Sequence, residues 1–155
     1  MYKQIIIVRK DLHMSAGKLA AQVSHGSMAF LTTAIRNNLF PRKDYQNEID
    51  CYRAEFDLEK DLVEQWIQSA FTKVVLQAKN KNQLMKAVEM AKELGMKEGE
   101  DYFLIKDNCY TELEPEEIDE NGVGRTLTCI GFKPMDAEII DKIGKKFHVF
   151  EGEVI

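Results

Sequence analysis

Four consecutive β-branched residues, Ile5, Ile6, Ile7 and Val8, constrain this chain more than any other feature. Strict apolar–polar alternation marks a strand with one wet face, whereas an unbroken apolar run marks a strand covered on both faces. The residues after the run suit such a strand. The loop Asp11-Leu12-His13-Met14-Ser15 carries Ser15 as a candidate helix N-cap. A helix is then expected over about 16–37, stopped by Asn37-Asn38 and Pro41. Its apolar stripe reads Leu19, Val23, Ser27, Phe30 and Ala34. Lys18, Gln22, Ala29 and Arg36 fall on the opposite stripe, with His25 beside them. Gly17, Ala20, Ala21, Ser24, Gly26 and Ser27 keep the first half small, so the helix backbone can lie close to a sheet.

The rest of the chain continues in short alternating segments. Pro41 to Asp44 reads as a loop, and residues 51–56 as a short irregular strand. A helix over 58–69, capped by Asp57, precedes a strand over 71–78. Asn80 opens a helix over 81–94 that Gly95 closes. Strands come next over 101–106 and 125–132, with an acidic loop between them, then a helix over 135–145 and a short strand over 148–150. This order predicts an α/β fold: a three-layer α/β/α sandwich with a mixed, mostly parallel four-stranded sheet. With 155 residues and no repeat or low-complexity linker, the chain is expected to form one domain over 1–155, with an insertion at about 39–57.

Composition narrows the function. No stretch approaches the roughly 18 apolar residues of a membrane span, and the apolar run at the N-terminus is too short for a signal-peptide core, so a cytoplasmic protein is expected. Cys51, Cys109 and Cys129 are odd in number and form no CxxC pair, which suits reduced thiols rather than a disulfide framework or a zinc site. The net charge of −5 does not favour broad nucleic-acid binding, yet residues 112–121 alone carry six acids, and the remainder is close to neutral. Phosphate loops, nucleophile elbows and HExxH motifs are absent.

Three features bear on chemistry. Lys18, Gln22 and His25 stand at helical spacing just past the end of the first strand, where open α/β sheets place ligands. Lys supplies positive charge, Gln directional hydrogen bonds, and His a proton exchanger near neutrality. A solvated helix face accounts for the same pattern. Asp107 and Thr111 stand where the third long strand enters a loop, as catalytic groups or as turn formers. Thr126 and Thr128 share one face of the next strand, and if these strands are antiparallel neighbours, Asp107, Thr111 and Thr126 meet at one edge. Plain β-propensity is the other account of these threonines.

The run Ile-Val-Arg-Lys-Asp-Leu-His-Met-Ser-Ala-Gly-Lys-Leu-Ala-Ala-Gln-Val-Ser-His-Gly, residues 7–26, resembles the N-terminal signature of the type 2 (archaeal and eukaryotic) peptidyl-tRNA hydrolases. Arg9, Asp11, Met14, Gly17, Lys18, Ala20, Ala21, Gln22, Ser24 and His25 match it in register. Lys106-Asp107 with Thr111 is similar to that family's Asp-Ala-Gly-Arg-Thr segment, and Thr126 to Pro134 to its Thr-Val-Leu-Gly-Ile-Gly-Pro strand. The resemblance implies an esterase that cleaves the bond between a peptide and the 3′ end of tRNA, as a homodimer, without a cofactor or metal. It also implies Lys18, Asp107, Thr111 and Thr126 as catalytic residues, with Gln22 and His25 beside them on the substrate; Arg9, Arg125 and Arg36 are cations expected to bind the substrate's phosphates. The chain departs from the pattern at Asn108-Cys109-Tyr110, which replaces Ala-Gly-Arg, and in its lengthened acidic loop. Two other readings stand beside the hydrolase: an enzyme for another small ester or amide, and a non-catalytic binding or regulatory module on the same fold.

Overall fold

The computed structural model describes residues 1–152. The β-branched run lies in β1 (Tyr2–Arg9), whose last six residues are all buried. Ile5 and Ile7 point to one apolar cluster and Ile6 and Val8 to another. The first cluster takes Leu84, Ala87, Val88 and Ala91 from α3 (Lys81–Glu93) and Ile140 and Ile143 from α4 (Ala137–Gly144). The second takes Leu19 and Val23 from α1 (Ala16–Asn37). Covering both faces of one strand is what an unbroken apolar run is for.

The sheet departs from the expectation in number and direction. It has seven strands, not four, in the order β5 (Tyr102–Asp107), β7 (Gly124–Phe132), β1, β4 (Lys73–Ala78), β9 (His148–Val149), with β6 (Glu117–Ile118) against β7 and β8 (Met135–Asp136) against β1. The short strand expected over 148–150 is β9; the two unexpected strands, β6 and β8, are two residues long, too short to leave a period in the sequence. The sheet is mostly antiparallel: β1 and β4 form its only parallel pair among the described residues. The reason is one strand. β1, β4 and β5 run the same way, as helical crossovers require, but β7 comes after β5 through a loop and runs back between β5 and β1. Its register pairs Ile130 with Ile7 and Thr126 with Asp107.

The fully buried residues of α1 are Gln22, Gly26 and Ala29; the apolar stripe read from spacing is half-buried, with its Leu19 and Val23 packed against the second cluster. Contact is closest where two glycines meet. A Cβ on Gly131 would stand 2.6 Å from the Gly26 carbonyl carbon, and one on Gly26 would stand 3.1 Å from Ile6 Cγ2. Ser15 caps the helix, accepting from the Lys18 amide, and Asn38 ends it.

Residues 39–57 are more regular than the loop expected at 41–44, and the short strand expected over 51–56 is present. β2 (Leu39–Lys43) and β3 (Ile49–Ala54) form a separate antiparallel hairpin, every residue exposed. Both its strands are edges, so Pro41 sits in one at no ladder cost. The helix expected over 58–69 is an α-turn, α2 (Lys60–Leu62), that widens into a π-helix over Val63–Ile67, preceded by Glu59 rather than Asp57 as cap. Its Trp66 is buried, donates to the Thr72 carbonyl at 2.8 Å and stacks near Phe71. The last helix is shorter than expected because Met135 and Asp136 pair with the start of β1, and Asp136 caps α4.

Candidate functional site

The α1 N-terminus, the C-terminal ends of β1 and β5 and the beginning of β7 converge at one end of the sheet. The Lys18 ammonium lies 2.6 Å from Asp107 Oδ1 and 3.3 Å from the Thr111 hydroxyl. The Lys18 and Asp107 side chains are only 14% and 10% exposed, so the pair sits in a partly desolvated notch. Asp107 Oδ2 accepts from the Cys109 backbone N–H at 3.0 Å, closing a turn in which Cys109 has φ +61°. The family segment that this loop resembles has Gly at that position, the residue suited to a left-handed backbone.

Gln22 is the fourth member. Although polar, it is 3% exposed. Its side-chain amide donates to Asp107 Oδ1 at 3.3 Å, and its Oε1 accepts from the buried Thr128 hydroxyl at 2.5 Å. Helical spacing misplaced Gln22 because its face is buried by polar partners rather than apolar ones.

Thr126 stands across from Asp107 but does not touch it through its side chain. It is fully buried, and its hydroxyl donates to the Glu114 carbonyl at 2.6 Å and accepts from the Glu116 amide at 3.1 Å. The Cys109 thiol lies 3.4 Å from the same hydroxyl. Thr126 therefore fixes the middle of the loop, at Glu114 and Glu116, rather than facing the notch. Arg9 is 4% exposed, and its five guanidinium N–H groups go to Asp11, Glu116 and the Leu127 carbonyl. Burial works against its charge, but the bonds and charges of Asp11 and Glu116 outweigh that and hold it above its ordinary value.

His25 and Arg125 lie together elsewhere. They line a cavity of about 520 Å³ with Arg36, Lys106 and Asn108, between α1 and the β5–β7 edge. The acidic loop is bound to this body. Glu117 pairs with Lys106 at 2.6 Å, Asp119 with Arg125 at 3.1 Å, Glu116 with Arg9, and Glu112 accepts from the Ser15 amide and hydroxyl at 2.9 and 2.6 Å. The Ser15 hydrogen bonds hold the Glu112 carboxyl below its usual range, and the Lys106 bond does the same for Glu117. Asp119 is lowered first by the Val123 amide. Four of the six acids thus face inward, an arrangement that composition could not reveal.

The described residues hold no group of three or more His, Cys, Asp or Glu side chains placed to bind a metal ion, and none of the described helices is long and apolar enough to cross a membrane. Burial pushes the Cys129 thiol up to about 12, so it stays protonated. Sequence reasoning did not place Glu112, the Cys109 amide or Thr128 in this site. Only Thr128 left a signal, by sharing a strand face with Thr126.

Known proteins resemble this chain along nearly its whole length. The model of the family described as peptidyl-tRNA hydrolase PTH2 matches residues 2–150. A curated peptidyl-tRNA hydrolase of Methanopyrus kandleri is 35% identical over 92% of this chain and 93% of its own length. Those of Thermoplasma acidophilum and Sulfurisphaera tokodaii are 30% and 29% identical, over 94% and 91% of this chain and 95% and 92% of theirs.

Proposed function

This chain belongs to the peptidyl-tRNA hydrolase PTH2 family, and we propose that its Lys18–Asp107–Thr111 cluster cleaves the ester between a peptide and the 3′ end of tRNA. The observation that carries the assignment of residues is the convergence of a lysine, a carboxylate and a hydroxyl within 3.3 Å in a partly desolvated notch. Ester hydrolysis needs an activated water and a stabilised oxyanion. Asp107 and the Thr111 hydroxyl hold the water, and Asp107 takes its proton at Oδ2, which among the described residues accepts only from the Cys109 amide, as hydroxide adds to the ester carbonyl. Lys18 has three N–H donors, two of them engaged with Asp107 and Thr111. The third faces the developing oxyanion. Collapse of the tetrahedral intermediate expels the 3′ oxygen of the tRNA, which takes the proton back from Asp107.

Thr126 and Arg9 act through the loop they tether: Thr126 fixes Glu114 and Glu116, and Arg9 holds Glu116. His25, Arg125, Arg36 and Lys106 supply the phosphate contacts of the tRNA end, from the cavity they line. The two apolar clusters on opposite sides of β1 support the three-layer α/β/α reading, with residues 39–57 as an inserted hairpin on one domain. The protein acts as a cytoplasmic homodimer without a cofactor in this reading. The test is turnover of an N-acyl-aminoacyl-tRNA by Lys18→Ala and Asp107→Ala. Loss of a general base removes roughly 10²–10⁴-fold, and near-normal rates in either variant would end the proposal.

A further inference from the structure

We infer that the cavity between the end of β1, the start of α1 and the residues after β9 seats the peptide, holding the apolar side chain of the residue whose ester is cleaved. The inference takes its substrate from the hydrolase reading above. The cavity encloses about 410 Å³, within the range of small-ligand sites. Met14, Ala16, Leu19 and Phe150 give it apolar walls. Met14, Leu19 and Phe150 also pack on the second apolar cluster, so the cavity is a bay of the core rather than a surface dent. Its far wall is tied to the sheet: the Phe150 amide donates to the Val75 carbonyl at 2.9 Å, and the Glu151 amide to Gln77 Oε1 at 3.0 Å.

The two halves of the substrate differ in polarity, and so do the two cavities beside the cluster. Lys106 and Asn108, on either side of Asp107, line the cavity that also holds Arg36 and Arg125, which suits a polyanion. Ala16 and Leu19, on either side of Lys18 along α1, line the apolar cavity, as does Ser15, whose hydroxyl accepts from the Lys18 amide. An ester held at Lys18 and Asp107 thus has a cationic cavity on one side and an apolar one on the other. The cations bordering the apolar cavity are already engaged. Arg9 is held by Asp11 and Glu116, and Lys10 donates to the Glu151 carbonyl and stands 4.8 Å from the Phe150 ring centroid. A nucleobase seeks an open aromatic face to stack on, whereas the Phe150 ring packs on the core and carries Lys10. An aliphatic side chain needs only the apolar walls.

Two measurements test this. In the first, one tRNA charged with N-acetylleucine or N-acetylglycine gives the ratio of kcat/KM for leucine over glycine. Burial of the leucine side chain is expected to bring that ratio to on the order of 10 in the wild type. Phe150→Ala removes a wall, and Ala16→Trp fills the space from an exposed position, so it serves if the first variant does not fold. Each is expected to lower the ratio towards unity. In the second, N-acetyl-leucinamide is titrated to millimolar concentration while the Met14 and Leu19 methyl signals are followed by NMR. They are expected to shift, and to stay in place with N-acetylglycinamide. A wild-type ratio near unity, a ratio that survives in the variants, or methyls that respond to adenosine and not to the leucine amide would overturn the inference. A wild-type protein that leaves both esters intact while its Met14 and Leu19 methyls shift would sink the hydrolase reading and keep the cavity as a side-chain site.

Discussion

Replacing Gly131 with alanine should separate α1 from the sheet and disable the site from a distance. The added Cβ would stand 2.6 Å from the Gly26 carbonyl carbon and closer still to its oxygen, with backbone on both sides. Ordinary contact begins near 3.4 Å, so α1 and β7 must part by at least about 0.8 Å. Overpacking of this kind costs roughly 1–3 kcal/mol and sometimes more. The gain from restricting the unfolded chain, about 0.4–1 kcal/mol, does not cancel it. For a domain of this size the melting temperature should fall by about 2–4 °C for each kcal/mol lost. The same separation pulls Lys18 and Gln22 away from Asp107, and a misplacement of about 1 Å at a reacting centre can cost on the order of 100-fold in rate. The control is Gly26→Ala at the other side of the same contact. Its Cβ meets a side-chain methyl of Ile6 at 3.1 Å, which can give way, and alanine in a helix interior gains roughly 1 kcal/mol over glycine. Thermal and urea unfolding of both variants, with turnover measured on the folded fraction, decides the matter. A Gly131→Ala protein as stable as wild type, or one less stable yet fully active, would refute the close-approach argument.

The acidic loop leads to two more expected outcomes. Glu112, Glu117 and Asp119 are all held below their ordinary values, so their contribution to stability is complete above the usual carboxylate range and lost as pH falls through the lowered folded values. Urea unfolding between about pH 6 and pH 3 should therefore show a falling stability that is shallower in Glu112→Gln; an identical slope would contradict the Ser15 bond. Removing Glu117 and Asp119 as Gln and Asn frees Lys106 and Arg125 beside the cavity. Binding to tRNA should tighten at low salt, and the slope of log K against log salt should steepen by about 0.7–0.9 for each cation released. A slope equal to wild type would mean that the cavity is not where tRNA phosphates lie.

The range of each interaction decides how much of the fold and site is legible in the sequence. β1 and α1 were legible because their causes are local: a β-branched run, a serine cap and an asparagine stop. Strand direction was not, since it depends on β7 returning between two strands distant in sequence. The face of α1 was misread because burial of Gln22 is decided by Asp107 and Thr128, about 85 and 106 residues away. The resemblance carried Lys18, Asp107 and Thr111 to one place, and the structure brings them together. Arg9 and Thr126 matched the same pattern but are committed to holding the loop. Cys109 adopts a left-handed backbone at the position where the resembled segment has glycine. Neither the inward pairing of the acids nor the hairpin over residues 39–54 has a periodic signal to read.

The central claim is that Lys18 and Asp107 act as one unit. Single-turnover hydrolysis of an N-acyl-aminoacyl-tRNA by Lys18→Ala, Asp107→Ala and the double variant tests it most directly. Groups that work together are strongly non-additive. The double variant should therefore lose little more than the worse single one. Losses that multiply, or a single variant with near wild-type turnover, would contradict the account.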